Sequence, residues 1–146
     1  MSQSRSFRRP KIFAVVISCM LLLPGWDCAP IQTAVIVEPG VSFALAPGQT
    51  AEVKRADTRI TFRQVREDSR CPVDVTCVWE GDAKVEVTIS RTGAPDDTRI
   101  LSIRSPNNEA IVGTLRIKFV GLTPVPRQAD GNAAKNYLAE FVAEPV

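Results

Sequence analysis

Apolar and polar residues alternate along most of this 146-residue chain, and this alternation limits its fold more than any other feature. The pattern is clearest at Ala83–Ser90, where Val85, Val87 and Ile89 would share one face of an extended chain. Similar segments recur with turn residues about every 8–12 positions, which is typical of an all-β sandwich or barrel. One apolar face per strand indicates antiparallel sheets that are packed on one side. The sequence therefore predicts a single antiparallel β-sandwich, or a barrel-like domain, of about seven or eight strands.

The N-terminal segment has the composition of an export signal. Four basic residues and no acidic residue precede an apolar run from Ile12 to Leu23. That run is shorter than the ~20 residues that a membrane-spanning helix needs. Three outcomes stay open: a soluble secreted or periplasmic protein, a lipoprotein modified at Cys19 or Cys28, and an uncleaved anchor. We expect an export signal at 1–27, a tether at 28–40 and the β-sandwich domain at 41–146. A short strand at Ala34–Val37 within the tether stays open.

Charge and histidine content narrow the classes of function. The chain has 18 Lys/Arg and 16 Asp/Glu, but four of the basic residues precede residue 12. The rest of the chain is close to neutral and has no excess of basic residues of the kind that binds nucleic acid. The chain contains no histidine, which excludes Ser-His-Asp and Cys-His catalysis and removes the commonest transition-metal ligand. We therefore expect a non-enzymatic protein without a cofactor or a metal, although an enzyme built on carboxylates stays open.

Two cysteines, Cys71 and Cys77, lie six positions apart between strand-like segments. Because an exported protein meets an oxidising environment, we predict that they form a disulfide. The chain-entropy model gives a ring of about seven residues roughly 2–2.5 kcal/mol of stabilisation. A zinc centre is a weaker interpretation, because this spacing is not that of structural zinc sites and Cys19 and Cys28 would have to complete the ligand set.

Five residues around the cysteines are candidates for binding a partner: Arg70, Pro72, Asp74, Trp79 and Glu80. Trp79 either packs over the disulfide or the edge of the core, or it is an exposed aromatic contact, since Trp and Arg are enriched at binding hot spots. Arg70 either pairs with a nearby acid such as Glu67, Asp68 or Glu80, or presents its charge from a rigid loop.

The same segment allows two further expectations. Gly81 is expected at a turn or a bulge before the next strand. Four acidic residues within fifteen positions would also permit a calcium site, although their spacing is not that of an EF-hand. These residues are Asp68, Asp74, Glu80 and Asp82.

Three further motifs accompany the loop. Asp-Ser-Arg-Cys-Pro occupies 68–72, Cys-x-Trp-x-Gly occupies 77–81 and Leu-x-Pro-x-Pro occupies 122–126, with Tyr137 in the predicted final strand. In these motifs the chain resembles a group of small exported bacterial β-domain proteins and lipoproteins. The resemblance covers roughly residues 41–146. It implies a leader followed by a β domain of about a hundred residues, and it implies no particular activity.

The function that best fits these features is a non-enzymatic binding or interaction module of the cell envelope. Its partner would be a protein or another envelope component, because loops on a rigid β scaffold commonly present binding surfaces. A specific form is a proteinase inhibitor in which Pro72–Thr76 is a pre-organised loop. The alternatives are a structural or stress-related envelope protein without a specific ligand, and an enzyme that uses carboxylates such as Asp68 and Glu80. Membrane contact is expected only through a lipid or signal anchor.

Overall fold

The computed structural model describes residues 33–104, 106–130 and 135–146. Predictions for the leader and for the start of the tether lie outside these residues. Within the described ranges the chain forms nine strands and one turn of 3-10 helix at Gln128–Asp130. The strands are β1 (Val35–Val37), β2 (Ser42–Leu45), β3 (Thr50–Val53), β4 (Thr58–Asp68), β5 (Ala83–Arg91), β6 (Asp97–Ser102), β7 (Glu109–Val112), β8 (Leu115–Thr123) and β9 (Leu138–Pro145).

Two sheets confirm the predicted all-β sandwich. The first has the strand order β1-β3-β4-β5-β6 and the second has the order β2-β9-β8-β7. β1 pairs with β3 in parallel, and the other pairs are antiparallel. β1 lies inside the expected tether, where the sequence had left a short strand at Ala34–Val37 open. The ninth strand, which the sequence did not predict, is β7, since its four residues before the turn at Gly113 are too few to show a clear alternation.

The core lies between the two sheets and consists of the inward faces of the alternating strands. On β5, residues Val85, Val87 and Ile89 are buried, as the alternation predicts. Phe141 of β9 stands at the centre of an aromatic cluster that joins the sheets. Its ring centroid lies 5.7 Å from that of Phe119 and 6.2 Å from that of Phe62 in the opposite sheet. Burial of these rings supplies a large part of the apolar contact that holds the sandwich together.

The long β4–β5 hairpin carries the cysteine loop at one end of the sandwich. β4 ends at Asp68 and β5 begins at Ala83, so the connecting segment contains both cysteines. Two irregularities in the β4–β5 register, after Phe62 and after Val65, precede the loop. Hydrogen bonds from Arg70 to Leu122 and Pro124 bring the end of β8 to the same end of the molecule. In the described part of the chain, no helix has the length and apolar character required to span a membrane.

Truncation of Phe141 tests the role of the aromatic cluster. We expect Phe141→Ala to lower the free energy of unfolding by about 3–5 kcal/mol, because it removes a fully buried ring and leaves a cavity. Ile36→Ala is the control, since the Ile36 residue is 72% exposed and its loss should cost less than about 0.5 kcal/mol. Urea unfolding of both variants measures the difference, and equal losses would contradict this account of the core.

Candidate functional site

The predicted disulfide between Cys71 and Cys77 is present. The two Cα atoms are 6.0 Å apart, and the bond closes the tip of the β4–β5 connection. The Cys71 residue is half-buried, whereas the Cys77 residue is exposed. The disulfide therefore ties an exposed part of the loop to a part that is packed against the domain.

A narrow neck connects the disulfide ring to the hairpin. The Ser69 amide donates to the Asp82 carbonyl over 2.8 Å, and the Cys71 amide donates to the Glu80 carbonyl over 3.2 Å. Gly81 lies within this neck at a φ of +69°, a conformation that residues other than glycine rarely adopt. A Cβ atom at this position would lie 1.8 Å from the Ser69 carbonyl oxygen. The close approach of the two backbone segments around Ser69 and Gly81 thus requires glycine at position 81.

Arg70 forms a two-point ion pair with Asp68 beneath the loop. Its Nε donates to Asp68 Oδ1 over 2.7 Å and its Nη2 donates to Oδ2 over 2.9 Å. The exposed fractions of the two side chains are only 12% for Arg70 and 6% for Asp68. The structure thus agrees with the interpretation in which Arg70 pairs with a neighbouring acid. Arg70 belongs to the support of the loop, and its charge is not presented to solvent.

The same ion pair reaches two other parts of the chain. Arg70 Nη1 donates to the Leu122 carbonyl, and Nη2 donates to the Pro124 carbonyl over 2.9 Å. Tyr137, one residue before β9 rather than within it, donates its hydroxyl to Asp68 Oδ2 over 3.0 Å, and Lys135 Nζ lies 3.8 Å from that oxygen. We name the side chains of Asp68, Arg70, Lys135 and Tyr137 the Asp68 cluster. It joins the Asp-Ser-Arg motif, the Leu-x-Pro-x-Pro segment and Tyr137.

Opposing influences act on the ionisable groups of this cluster. Burial raises the pKa of Asp68, but hydrogen bonds from Arg70 and Tyr137 and the positive charge of Arg70 outweigh it, so the net pKa lies below its usual value. Burial, followed by the hydrogen bond to Asp68 and its negative charge, raises the pKa of Tyr137. Asp68 is therefore held as a carboxylate and Tyr137 as a neutral donor at neutral pH.

The first arm of the loop, Cys71–Val75, is bonded to the segment that follows β8. The Val73 amide donates to the Pro126 carbonyl over 3.0 Å. The Asp74 carboxylate accepts from the Gln128 amide at 2.8 Å and 3.1 Å, and this hydrogen bond is the main reason that the pKa of Asp74 is lowered. Pro72 is half-buried. Two of the predicted partner-binding residues, Pro72 and Asp74, thus lie in the arm that contacts the domain.

The second arm, Thr76–Glu80, projects into solvent. Val78 is 90% exposed and Trp79 is 81% exposed, so Trp79 packs over neither the disulfide nor the core edge. We name these two residues the apolar tip. Glu80 is exposed beside them and pairs with Arg104, whose Nη2 lies 2.7 Å from Glu80 Oε2. Sequence reasoning missed Val78, although two consecutive apolar residues outside any alternating strand were a usable signal.

The four acidic side chains that suggested a calcium site do not share a common centre. Each forms ion pairs or hydrogen bonds with a different protein group. Asp68 is paired with Arg70, and Asp74 accepts from Gln128. Glu80 is paired with Arg104, and Asp82 accepts hydrogen bonds from Ser102 and from the Ala83 amide. Among the residues that the structure describes, no group of three or more acidic or cysteine side chains is arranged to hold a metal ion.

Comparisons of the chain with protein-family models, with curated proteins and with solved structures found no match. The function is therefore argued from the geometry of the loop and its support.

Two Asp-x-Arg pairs of identical spacing allow a matched test of the Asp68 cluster. We expect Asp68→Asn to lower the free energy of unfolding by on the order of 3 kcal/mol at pH 7, because it leaves the enclosed Arg70 without its counter-ion. Asp97→Asn should cost less than about 1 kcal/mol, since the Asp97–Arg99 pair has the same two-point geometry but side chains that are 34% and 55% exposed.

The pH dependence of the Asp68→Asn effect has a defined sign. The pKa of Asp68 is lowered in the folded protein, so its contribution to stability is present above the ordinary aspartate value of about 3.9. The contribution is lost as the pH falls through the lower folded pKa. Urea unfolding of both proteins between pH 7 and pH 2 should show a difference that shrinks below about pH 4. A constant difference would contradict the role of the carboxylate.

Alanine substitution at two glycines with similar φ angles tests whether the neck requires glycine. Gly81 and Gly93 have φ angles of +69° and +75°, but a Cβ at Gly93 would meet nothing within 4 Å. Both alanine variants share the penalty for positive φ, of about 1–2 kcal/mol. We expect Gly81→Ala to cost about 1–3 kcal/mol more than Gly93→Ala, because its Cβ collides with the Ser69 carbonyl. Equal thermal shifts would contradict the required close approach.

Proposed function

We propose that this protein is an exported, non-enzymatic binding module that presents the apolar tip to a protein partner in the cell envelope. The observation that carries the proposal is the exposure of Val78 and Trp79, at 90% and 81%, on a loop whose two ends are fixed. A soluble domain gains nothing from an indole held in water, whereas Trp is among the residues that most often dominate binding energy.

The contacts that fix the loop beneath the apolar tip favour a binding role for Val78 and Trp79 over chance exposure on the surface. The disulfide, the Asp68 cluster and the hydrogen bonds of Val73 and Asp74 restrict the loop before any partner arrives. A loop that is already ordered loses less conformational entropy on binding. Burial of the indole in a partner then adds about 25 cal/mol for each Å² of apolar surface removed from water.

The ionisable groups near the loop support a non-enzymatic role. A carboxylate that acts as a general acid needs a raised pKa, and the pKa of Asp68 is lowered by its partners. Glu80, the other carboxylate of the enzyme hypothesis, is exposed and paired with Arg104. The proposal therefore assigns no reaction, no cofactor and no metal to this loop.

The proteinase-inhibitor form of the proposal receives less support. That form requires the Pro72–Thr76 arm to be free for a proteinase cleft, yet Val73 and Asp74 are hydrogen-bonded to the segment after β8. We therefore assign partner contact to the second arm. Of the five residues first considered, Trp79 and Glu80 belong to this surface, while Arg70, Pro72 and Asp74 support it.

Export is part of the same proposal. It is supported by the basic and apolar N-terminal sequence and by the Cys71–Cys77 disulfide, which suits an oxidising compartment. The mature protein would be periplasmic, secreted or membrane-anchored through its N-terminal region.

Site-specific photo-cross-linking in cells of the native host tests the proposal. A benzophenone amino acid at position 78, which leaves the Trp79 indole in place, should yield a discrete adduct with one partner. The same group at position 36 is the control, since Ile36 is an exposed apolar residue on β1, away from the loop. Identical adduct patterns at both positions, or none at 78, would contradict the proposal and favour a structural or stress-related protein without a specific ligand.

Truncation of the indole separates binding from stability. With the cross-linker at position 78, we expect Trp79→Ala to reduce the adduct yield by about tenfold or more, as for a binding hot spot. The free energy of unfolding should change by less than about 0.5 kcal/mol, because the indole is exposed. Ile100→Ala, which truncates a residue that is 56% exposed on β6, should change neither quantity. A loss of stability on Trp79→Ala would contradict a purely external role.

A further inference from the structure

The two arms of the cysteine loop are held to the domain in different ways. The first arm has its own hydrogen bonds, from Val73 to Pro126 and from Gln128 to Asp74, above the ion pair of Arg70. In the second arm, residues Thr76–Trp79 take part in none of the hydrogen bonds found among the described residues. Their attachments are the disulfide at Cys77 and the Glu80 carbonyl that accepts from Cys71.

The two cysteines of the disulfide differ in exposure. Cys77 belongs to the exposed arm, while Cys71 is half-buried, with its Sγ 3.5 Å from the Pro72 carbonyl oxygen and 3.8 Å from that of Val75. A thiolate in solution therefore reaches the sulfur of Cys77 more readily than that of Cys71. Accessible disulfides are the ones that exchange with external thiols.

We propose that the Cys71–Cys77 disulfide is a redox gate that controls the order of the apolar tip. Reduction releases residues 76–79 and mobilises Val78 and Trp79, while the first arm and the sandwich stay in place. A mobilised tip must be ordered again by the partner, so it binds more weakly. This regulation of binding rests on the function proposed above. The release itself depends only on the contacts of the two arms.

The reductant is a dithiol, such as a protein with a reduced Cys-x-x-Cys pair. One of its thiolates attacks Cys77 Sγ, the S–S bond breaks, and Cys71 leaves as a thiolate that takes up a proton. The second thiolate then attacks the mixed disulfide and releases Cys77, which is also protonated. Two electrons pass to the protein, two cysteine thiols form, and the dithiol becomes a disulfide.

The fold does not depend on this bond for its core. The disulfide lies outside the buried apolar residues of the two sheets, and the ion pair of Arg70 with Asp68 contains neither cysteine. Glu80 remains tied to Arg104 and to the Cys71 amide, so the released segment is bounded at both ends. Opening is therefore local, as in other regions that have few hydrogen bonds and little buried surface.

Backbone relaxation of the full, ¹⁵N-labelled chain tests the release, with dithiothreitol as the dithiol and intact mass as the check for two free thiols. On reduction we expect order parameters at residues 76–79 to fall from about 0.85 to below about 0.6. Val73, Asp74 and the amides of β4 and β5 should keep their values. Cys71→Ser/Cys77→Ser should show the mobile pattern without dithiol and no response to it.

Three outcomes would overturn the gate. Unchanged order parameters at 76–79 in fully reduced protein would show that the disulfide does not order the tip. A loss of order throughout β4 and β5 would show that the disulfide supports the whole domain. Equal photo-adduct yields at position 78 in wild-type and Cys71→Ser/Cys77→Ser proteins would show that a mobile tip binds as well. If neither protein forms an adduct while the order parameters fall as expected, the binding function fails and the release stands.

Discussion

The enclosed ion pair between Asp68 and Arg70 is the interaction on which the arrangement of the loop depends. Arg70 also donates to the carbonyls of Leu122 and Pro124, and Asp68 accepts from Tyr137. The pair thereby ties the β4–β5 hairpin of one sheet to β8 and β9 of the other. An enclosed charge pair is tolerated only when its hydrogen-bonding groups are satisfied, and these partners meet that condition.

The fold could be predicted from the sequence because its cause is local. Alternating residues on β5 and β8 place one apolar face on each strand, and burial of those faces produces the sandwich. The Cys71–Cys77 bond could be predicted for the same reason, since its two cysteines are neighbours in the chain. β7 escaped prediction because four residues give only two alternations, so pairing with β8 decides its conformation.

The orientation of the site residues depends on contacts that are distant in sequence. Nothing near Arg70 indicates that its guanidinium will meet carbonyls 52 and 54 residues later. The Asp97–Arg99 pair has the same spacing and the same two-point geometry, yet it lies on the surface. Local sequence therefore predicts that such a pair forms, and only the packing of the two sheets determines whether it is enclosed. The exposure of Trp79 is likewise decided by the first arm, which occupies the contact with the domain.

The separation in sequence between the members of the Asp68 cluster has a consequence for the order of assembly. The cysteines are six residues apart, so their encounter needs only local chain motion. Asp68 and Tyr137 are 69 residues apart, and their contact requires both sheets to have formed and met. Contacts of such long range carry a high entropic cost and form late. We therefore expect the two cysteines to come into contact before the two sheets have met, and the tip to reach its final position only when the whole sandwich has assembled.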